Sequence, residues 1–298
     1  IRDRVSSVNP KIVMLRMPGF GLDGPYEDYR TFGSHMAGVV GHYSVMGYQG
    51  ELADMTGNTL TADAAGGAGA ALALAAGIRY RNHNDKGIFI EIATAENFAN
   101  YLGDHILDYT VNDRLASPMG NRDISNAPQG VYRCTGEDRW IAISVNSDKQ
   151  WESLCNLIGS PELAKDPEYS NVSRRRSLHD TIDQLIEAWS IGMDAHKAMS
   201  ALQAEGIPAG VVMNEEDAFS DPHLEENGFW ETLEGAETGK YQYASTLWKT
   251  ASTDRSHKRA APRLGEDNEY VYKELLGFDA DKYAEFESAG HIGMDYDI

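Results

Sequence analysis

One carboxylate stands out among the residues that could do chemistry. Asp63 opens a run in which positions 62 to 76 hold nine alanines and three glycines. Alanine favours helix, and glycine lets another backbone or a ligand come close. An Asp at the start of such a helix is expected to cap the exposed N–H groups of the first turn, where the positive end of the helix dipole favours negative charge. Asp63 is therefore a candidate nucleophile as well as a candidate cap. Asp54 is the nearest competing acid, and it lacks a following helix. His35 and His42, seven residues apart, fall roughly on one side of a helix, but no second ligand pair with metal spacing accompanies them. Cys134 and Cys155 stand in no Cys-x-x-Cys or Cys/His cluster, so neither a disulfide framework nor a metal site is indicated. The stretch Gly19-Phe20-Gly21-Leu22-Asp23-Gly24 formally matches the dinucleotide fingerprint after a strand. No amphipathic helix follows and no acidic residue closes a second strand, so it reads as a Gly-rich loop over a sheet edge.

These groups need elements to hold them. Asn9-Pro10 followed by residues 11–17 reads as a turn and a short apolar strand of the buried parallel kind, ended by Pro18. Residues 32–45 and the Ala/Gly run read as helices, 88–92 as a β-branched strand and 95–111 as a helix. That alternation is the order of an α/β layer. Residues 114–130, rich in Ser, Pro, Asn and Gly, read as a linker. Beyond it a hairpin is expected at 130–134 and 140–145. Helices are expected at 148–158 with Ser147 as cap, at 178–189 and at 195–205. The run Arg174-Arg175-Arg176 reads as a solvated helix start. A turn and strand follow at 206–212, then a short helix at 217–221 stopped by Pro222. Irregular strands to 247 and a last helix at 266–276 complete the chain.

With 298 residues the chain can form one large or two ordinary domains, and 42% hydrophobic with 24% charged residues is a globular composition. Forty-six acidic against 26 basic side chains give a formal charge of -20, which opposes nucleic acid and anionic membranes as partners. The longest uncharged apolar stretch, 64–78, falls short of the roughly 20 residues that cross a bilayer and reads as a core helix. A cytoplasmic setting is expected.

Several stretches together resemble the family III CoA-transferases, the group that includes formyl-CoA transferase, the carnitine CoA-transferases and the methylacyl-CoA racemases. They are Asn9-Pro10-Lys11-Ile12 leading to Gly19-Phe20-Gly21-Leu22-Asp23-Gly24-Pro25-Tyr26, then Ala62-Asp63-Ala64-Ala65-Gly66-Gly67 and Gly206-Ile207-Pro208-Ala209-Gly210-Val211. Asp221-Pro222-His223-Leu224 and Ala261-Pro262-Arg263-Leu264-Gly265-Glu266 complete the set. The resemblance implies an α/β fold, with a Rossmann-like large domain and a smaller α+β domain, in an interlocked homodimer. It maps residues 1–112 to the large domain, 113–222 to the small domain with its entry linker, and 223–298 to a return to the large domain. The family's opening Rossmann unit has no counterpart before Ile1. Asp63 matches the family's nucleophilic aspartate, with Gly66, Gly67, Gly21, Gln129 and Gly130 as expected contacts of the substrate. No cofactor is expected to stay bound; a coenzyme A thioester is the substrate and a small carboxylic acid its co-substrate. Some transferases carry a Gly-rich loop where this chain has Asn126-Ala127-Pro128-Gln129-Gly130. Two alternatives stay open: an acyl-CoA racemase, for which Tyr29 falls where the second base, a histidine, is expected, and a non-catalytic CoA-binding homologue.

Overall fold

The computed structural model describes residues 2–50, 60–246, 248–253 and 256–294. Asp54 lies outside the described residues. The chain divides into two compact units, Ile1–Val211 and Val212–Ile298, and each is described by itself.

The first unit opens with α1 (Arg2–Val8) and β1 (Val13–Arg16). Helices α2 (Gly33–Val39) and α3 (Thr61–Asn84) follow, then β2 (Ile88–Glu91), α4 (Thr94–Ala99) and α5 (Gly103–Asn112). β1 and β2 pair in parallel, Val13 opposite Ile88 and Arg16 opposite Glu91. Helix α3 runs back along them. A Cβ added at Gly77 would meet Val13, Ile88 and Ile90 at the start of the strands, and one at Gly66 would meet Met17 and Thr94 beyond their ends. The start of α3 thus lies at the carboxyl edge of the strand pair. Met36, Ala37, Ala62, Ala65, Ala95 and Phe98 bury one another and lock α2, α3 and α4 together there.

Helix α3 corrects two expectations. It is 24 residues long, and by length and composition it could cross a membrane. It is also no core helix: only Ala62, Ala65, Gly66 and Gly77 are buried, because one narrow face of small residues packs on β1, β2, α2 and α4.

The rest of this unit has its own core. β3 (Gln129–Arg133) and β4 (Trp140–Ser144) form an antiparallel hairpin, Gln129 opposite Ser144, and β5 (Ala209–Val212) lies on the other side of β4. Against them pack α6 (Asp148–Leu157), α7 (Val172–Ser177), α8 (His179–Ser190) and α9 (Ala195–Ala204). Ile141, Leu154, Ile182, Ile186 and Leu202 are fully buried at the centre. Ser147 caps α6 as expected, its Oγ accepting from Gln150 N–H at 3.3 Å.

The second unit contains α10 (Glu215–Phe219) and α11 (Pro222–Glu226), so Pro222 starts a second short helix where a stop was expected. Pro fits the first turn because its missing N–H has no helical partner there, and Asp221 caps the new helix. The expected irregular strands are a regular hairpin, β6 (Trp230–Gly235) with β7 (Gly239–Ala244). The final helix expected at 266–276 is a π-helical turn, Tyr270–Leu275, and α12 (Ala280–Ser288) follows it.

Candidate active site

Asp63 sits in the first turn of α3 but is not its cap. Leu60 holds the N-cap position and offers no side-chain acceptor, so Asp63, the third helical residue, keeps its carboxylate exposed. Its backbone is fixed on both sides by buried Ala62 and Ala65. Asn97 Nδ2 donates to the Ala65 carbonyl at 3.0 Å, tying the turn to α4.

The carboxylate lies over Gly33, the first residue of α2. A Cβ at Gly33 would stand 2.7 Å from Asp63 Cγ and 3.0 Å from Oδ1, with Oδ2 closer still. With the carboxylate in this position only glycine leaves the room, and no feature of the Phe32-Gly33-Ser34 stretch marks this in the sequence. The Gly-rich loop after β1 reaches the same edge. Thr94 N–H donates to the Pro18 carbonyl at 3.0 Å, Ala95 N–H to that of Gly19 at 2.9 Å, and Leu22 N–H to Glu91 Oε1 at 2.6 Å. Gly21 turns there at φ 98°, in the left-handed region glycine favours. Ligands of parallel α/β layers bind outside the carboxyl ends of the strands, which is where this cluster stands.

The two expected glycines of α3 differ. Gly66 is buried beneath the Thr94 methyl, 2.9 Å from where its Cβ would be, and serves helix packing. Gly67 is exposed and open, with nothing among the described residues within 4 Å of a Cβ.

His35 Nδ1 accepts the Phe32 N–H at 3.1 Å, closing the start of α2. His42 stands edge-on to Phe98, ring centres 5.0 Å apart, and burial lowers its pKa. Tyr29 stacks on Tyr26 at 4.8 Å and meets Phe20 edge-on. Cys134 and Cys155 are buried and free; burial raises both thiols, Cys155 to about 12, which disfavours the reactive thiolate.

Gln129 and Gly130 form a second cluster. With Arg122 they line two adjoining cavities of about 560 and 480 Å³, neither of which is lined by Asp63. The Gln129 side chain accepts from Ser144 Oγ at 2.8 Å and donates to the Asn121 carbonyl at 3.3 Å. Gly130 leaves room for the Tyr132 ring, whose hydroxyl would fall 2.6 Å from a Cβ there. That hydroxyl donates to Asp183 Oδ1 at 2.8 Å, and Arg122 donates to Asp183 Oδ2 at 2.7 Å and to Asp180.

The basic run is not solvated throughout. Arg175 is 2% exposed, and its guanidinium donates to the carbonyls of Ala127 at 2.9 Å and Tyr169 at 3.0 Å and to Asp148 at 2.7 Å. The spacing of Arg175, His179 and Asp183, four residues apart, was the sequence signal for a shared inward face.

An exposed first-turn carboxylate thus stands at the carboxyl edge of a parallel strand pair. The sequence model of CoA-transferase family III matches residues 2–268, and the chain belongs to that family. It is 25% identical to succinyl-CoA–D-citramalate CoA-transferase of Chloroflexus aurantiacus, over 95% of this chain and 70% of that relative. It is 26% identical to formyl-CoA:oxalate CoA-transferase of Streptomyces coelicolor, over 97% of this chain and 73% of the relative. In fold it is similar to a CaiB/BaiF family protein from Brucella suis, with a TM-score of 0.79 and 22% identity over 92% of this chain and 70% of that one.

Proposed function

We propose that this protein moves CoA between an acyl-CoA thioester and a small carboxylic acid, with Asp63 as the covalent nucleophile. The observation that carries this is an exposed carboxylate on a rigid helical turn, at the carboxyl edge of a parallel strand pair, in a chain of this family. An ionised carboxylate needs no base to activate it, yet it can form an activated acyl intermediate.

In the proposed sequence Asp63 attacks the thioester carbonyl, the C–S bond breaks, and a mixed anhydride and CoA thiolate result. The thiolate attacks the aspartyl carbonyl of the anhydride, releasing the donor acid as carboxylate and leaving an aspartyl-CoA thioester. The acceptor carboxylate attacks that thioester, giving a second anhydride and freeing the thiolate again. Attack of the thiolate on the acceptor's carbonyl yields the new acyl-CoA and returns Asp63 ionised. No net proton is consumed. The first N–H groups of α3, with no side-chain cap from Leu60, are suited to stabilise the developing oxyanions.

The names of the relatives pair succinyl-CoA with citramalate and formyl-CoA with oxalate, so small dicarboxylic acids are the acceptor class proposed here. An interlocked homodimer and a cytoplasmic setting belong to the same proposal. The test is transfer from succinyl-CoA to a panel of dicarboxylates, for the wild type and Asp63→Ala. Loss of transfer by orders of magnitude in a folded variant supports the reading; near-normal turnover ends it. Racemisation is less well supported, because Tyr29, stacked on Tyr26, stands where the second base is expected; His35 and His42 keep that alternative open. Rapid solvent deuteration of the acyl α-carbon, without an acceptor acid, would favour it.

A further inference from the structure

We infer that the acyl-CoA enters the two cavities lined by Gln129 and Gly130, and that His179 is a positioning residue that holds their edge through the backbone N–H of Gln129; this rests on the proposed function. The observation is a ladder. Three residues at four-residue spacing across the α7–α8 junction grip β3 or the residues that lead into it. Arg175 Nε donates to the Ala127 carbonyl at 2.9 Å, Gln129 N–H donates to His179 Nε2 at 3.2 Å, and Asp183 Oδ1 accepts from Tyr132 at 2.8 Å. Asp183 also holds Arg122, which lines both cavities with Gln129 and Gly130.

The middle rung is the conditional one. Arg175 is charged at any working pH, whereas His179 can accept the Gln129 N–H only while Nε2 is unprotonated, with its one proton on Nδ1. His179 is buried, at 3% exposure. The charged groups facing it are Asp183 and Asp180 from its own helix and Arg122 from the segment before β3. Burial is the largest influence and favours the neutral ring, the state the hydrogen bond requires. Protonation turns Nε2 into a second donor aimed at the Gln129 N–H, so the strand edge that lines the cavities loses its anchor between Arg175 and Asp183.

The experiment compares wild type, His179→Gln and His179→Asn. A Gln amide places an acceptor near the position of Nε2; an Asn amide reaches only that of Nδ1. The expected result is that H179Q keeps the wild-type KM for succinyl-CoA, while H179N raises it about tenfold, the scale of one hydrogen bond, with kcat little changed. As the pH falls below 6.5, toward the lowered value of His179, the wild-type KM should rise and that of H179Q stay flat. A merely structural role would lower the active fraction, and so kcat, and leave KM alone. An unchanged KM in H179N, or an equal rise in both variants, overturns the inference while leaving the functional reading intact. If the wild type transfers no CoA, the functional reading fails by itself. Calorimetry with CoA then decides the inference, and an equal Kd in H179N and wild type overturns it.

Discussion

Replacing Gly33 with Ala probes the geometry of the site without touching its chemistry. Gly33 is the first residue of α2 with no positive φ, so Ala is allowed there and gains about 0.5–1 kcal/mol of helix preference. Its methyl, however, would stand 2.7 Å from Asp63 Cγ. Non-bonded carbons prefer about 3.5–4.0 Å, so the carboxylate must retreat by roughly 1 Å. Asp63 is exposed and can turn aside, at about 0.5–1.5 kcal/mol for an off-rotamer side chain. The two contributions nearly cancel, and the melting temperature should shift by no more than about 4 °C. Catalysis has no such compensation, since a displacement of about 1 Å at a reacting group costs on the order of 10²-fold. A thermal melt beside initial rates of transfer from succinyl-CoA would read both numbers. A G33A protein with wild-type kcat would refute the placement of Asp63 against Gly33 as the working geometry.

Other outcomes follow from particular contacts. Arg175→Leu strands two carbonyl oxygens and removes the partner of Asp148, so urea unfolding should show a loss of about 2–4 kcal/mol. An unchanged midpoint would contradict its buried role. The native protein should show no fast thiol toward an alkylating reagent at mildly alkaline pH and two after denaturation, because burial raises both cysteines; one rapidly modified native thiol would disprove this. His179 has its folded pKa lowered by burial below the unfolded 6.5, so in the window below 6.5 the unfolded chain binds more protons. Its contribution is therefore complete above 6.5 and lost as pH falls toward the lowered folded value. The acid side of the stability profile should flatten in H179Q, seen by urea titration at several pH values, and an identical slope in both proteins would contradict it.

Much of the scaffold could be read from local pattern. The apolar run ended by Pro18, the Ser147 cap and the hairpin that joins Arg133 to Trp140 were legible because each is set by residues a few positions apart. The position of Asp63 near a helix start was legible too, but its standing as third helical residue was not. The helix begins before the small-residue run, at Thr61, a boundary that tertiary packing of Ala62 decides. Burial of Arg175 was hidden because a charged triplet reads as solvated until the Ala127 and Tyr169 carbonyls are known to need donors. Gly33 was hidden for a related reason: its constraint is an approach by a side chain 30 positions on. The hairpin after Phe229 was masked by its charged, exposed alternate positions, and α12 by a composition rich in acidic residues. The family resemblance carried what local pattern could not, the chemistry expected of Asp63.

The central claim is a covalent bond to Asp63, and trapping tests it most directly. Incubating the protein with succinyl-CoA and hydroxylamine should convert the aspartyl thioester to a hydroxamate, inactivating the enzyme and marking a single peptide by mass spectrometry. The account predicts that the mark sits on Asp63 and is absent from D63A and from samples without succinyl-CoA. Full transfer activity with no hydroxamate on Asp63, or the mark on another carboxylate, would contradict it.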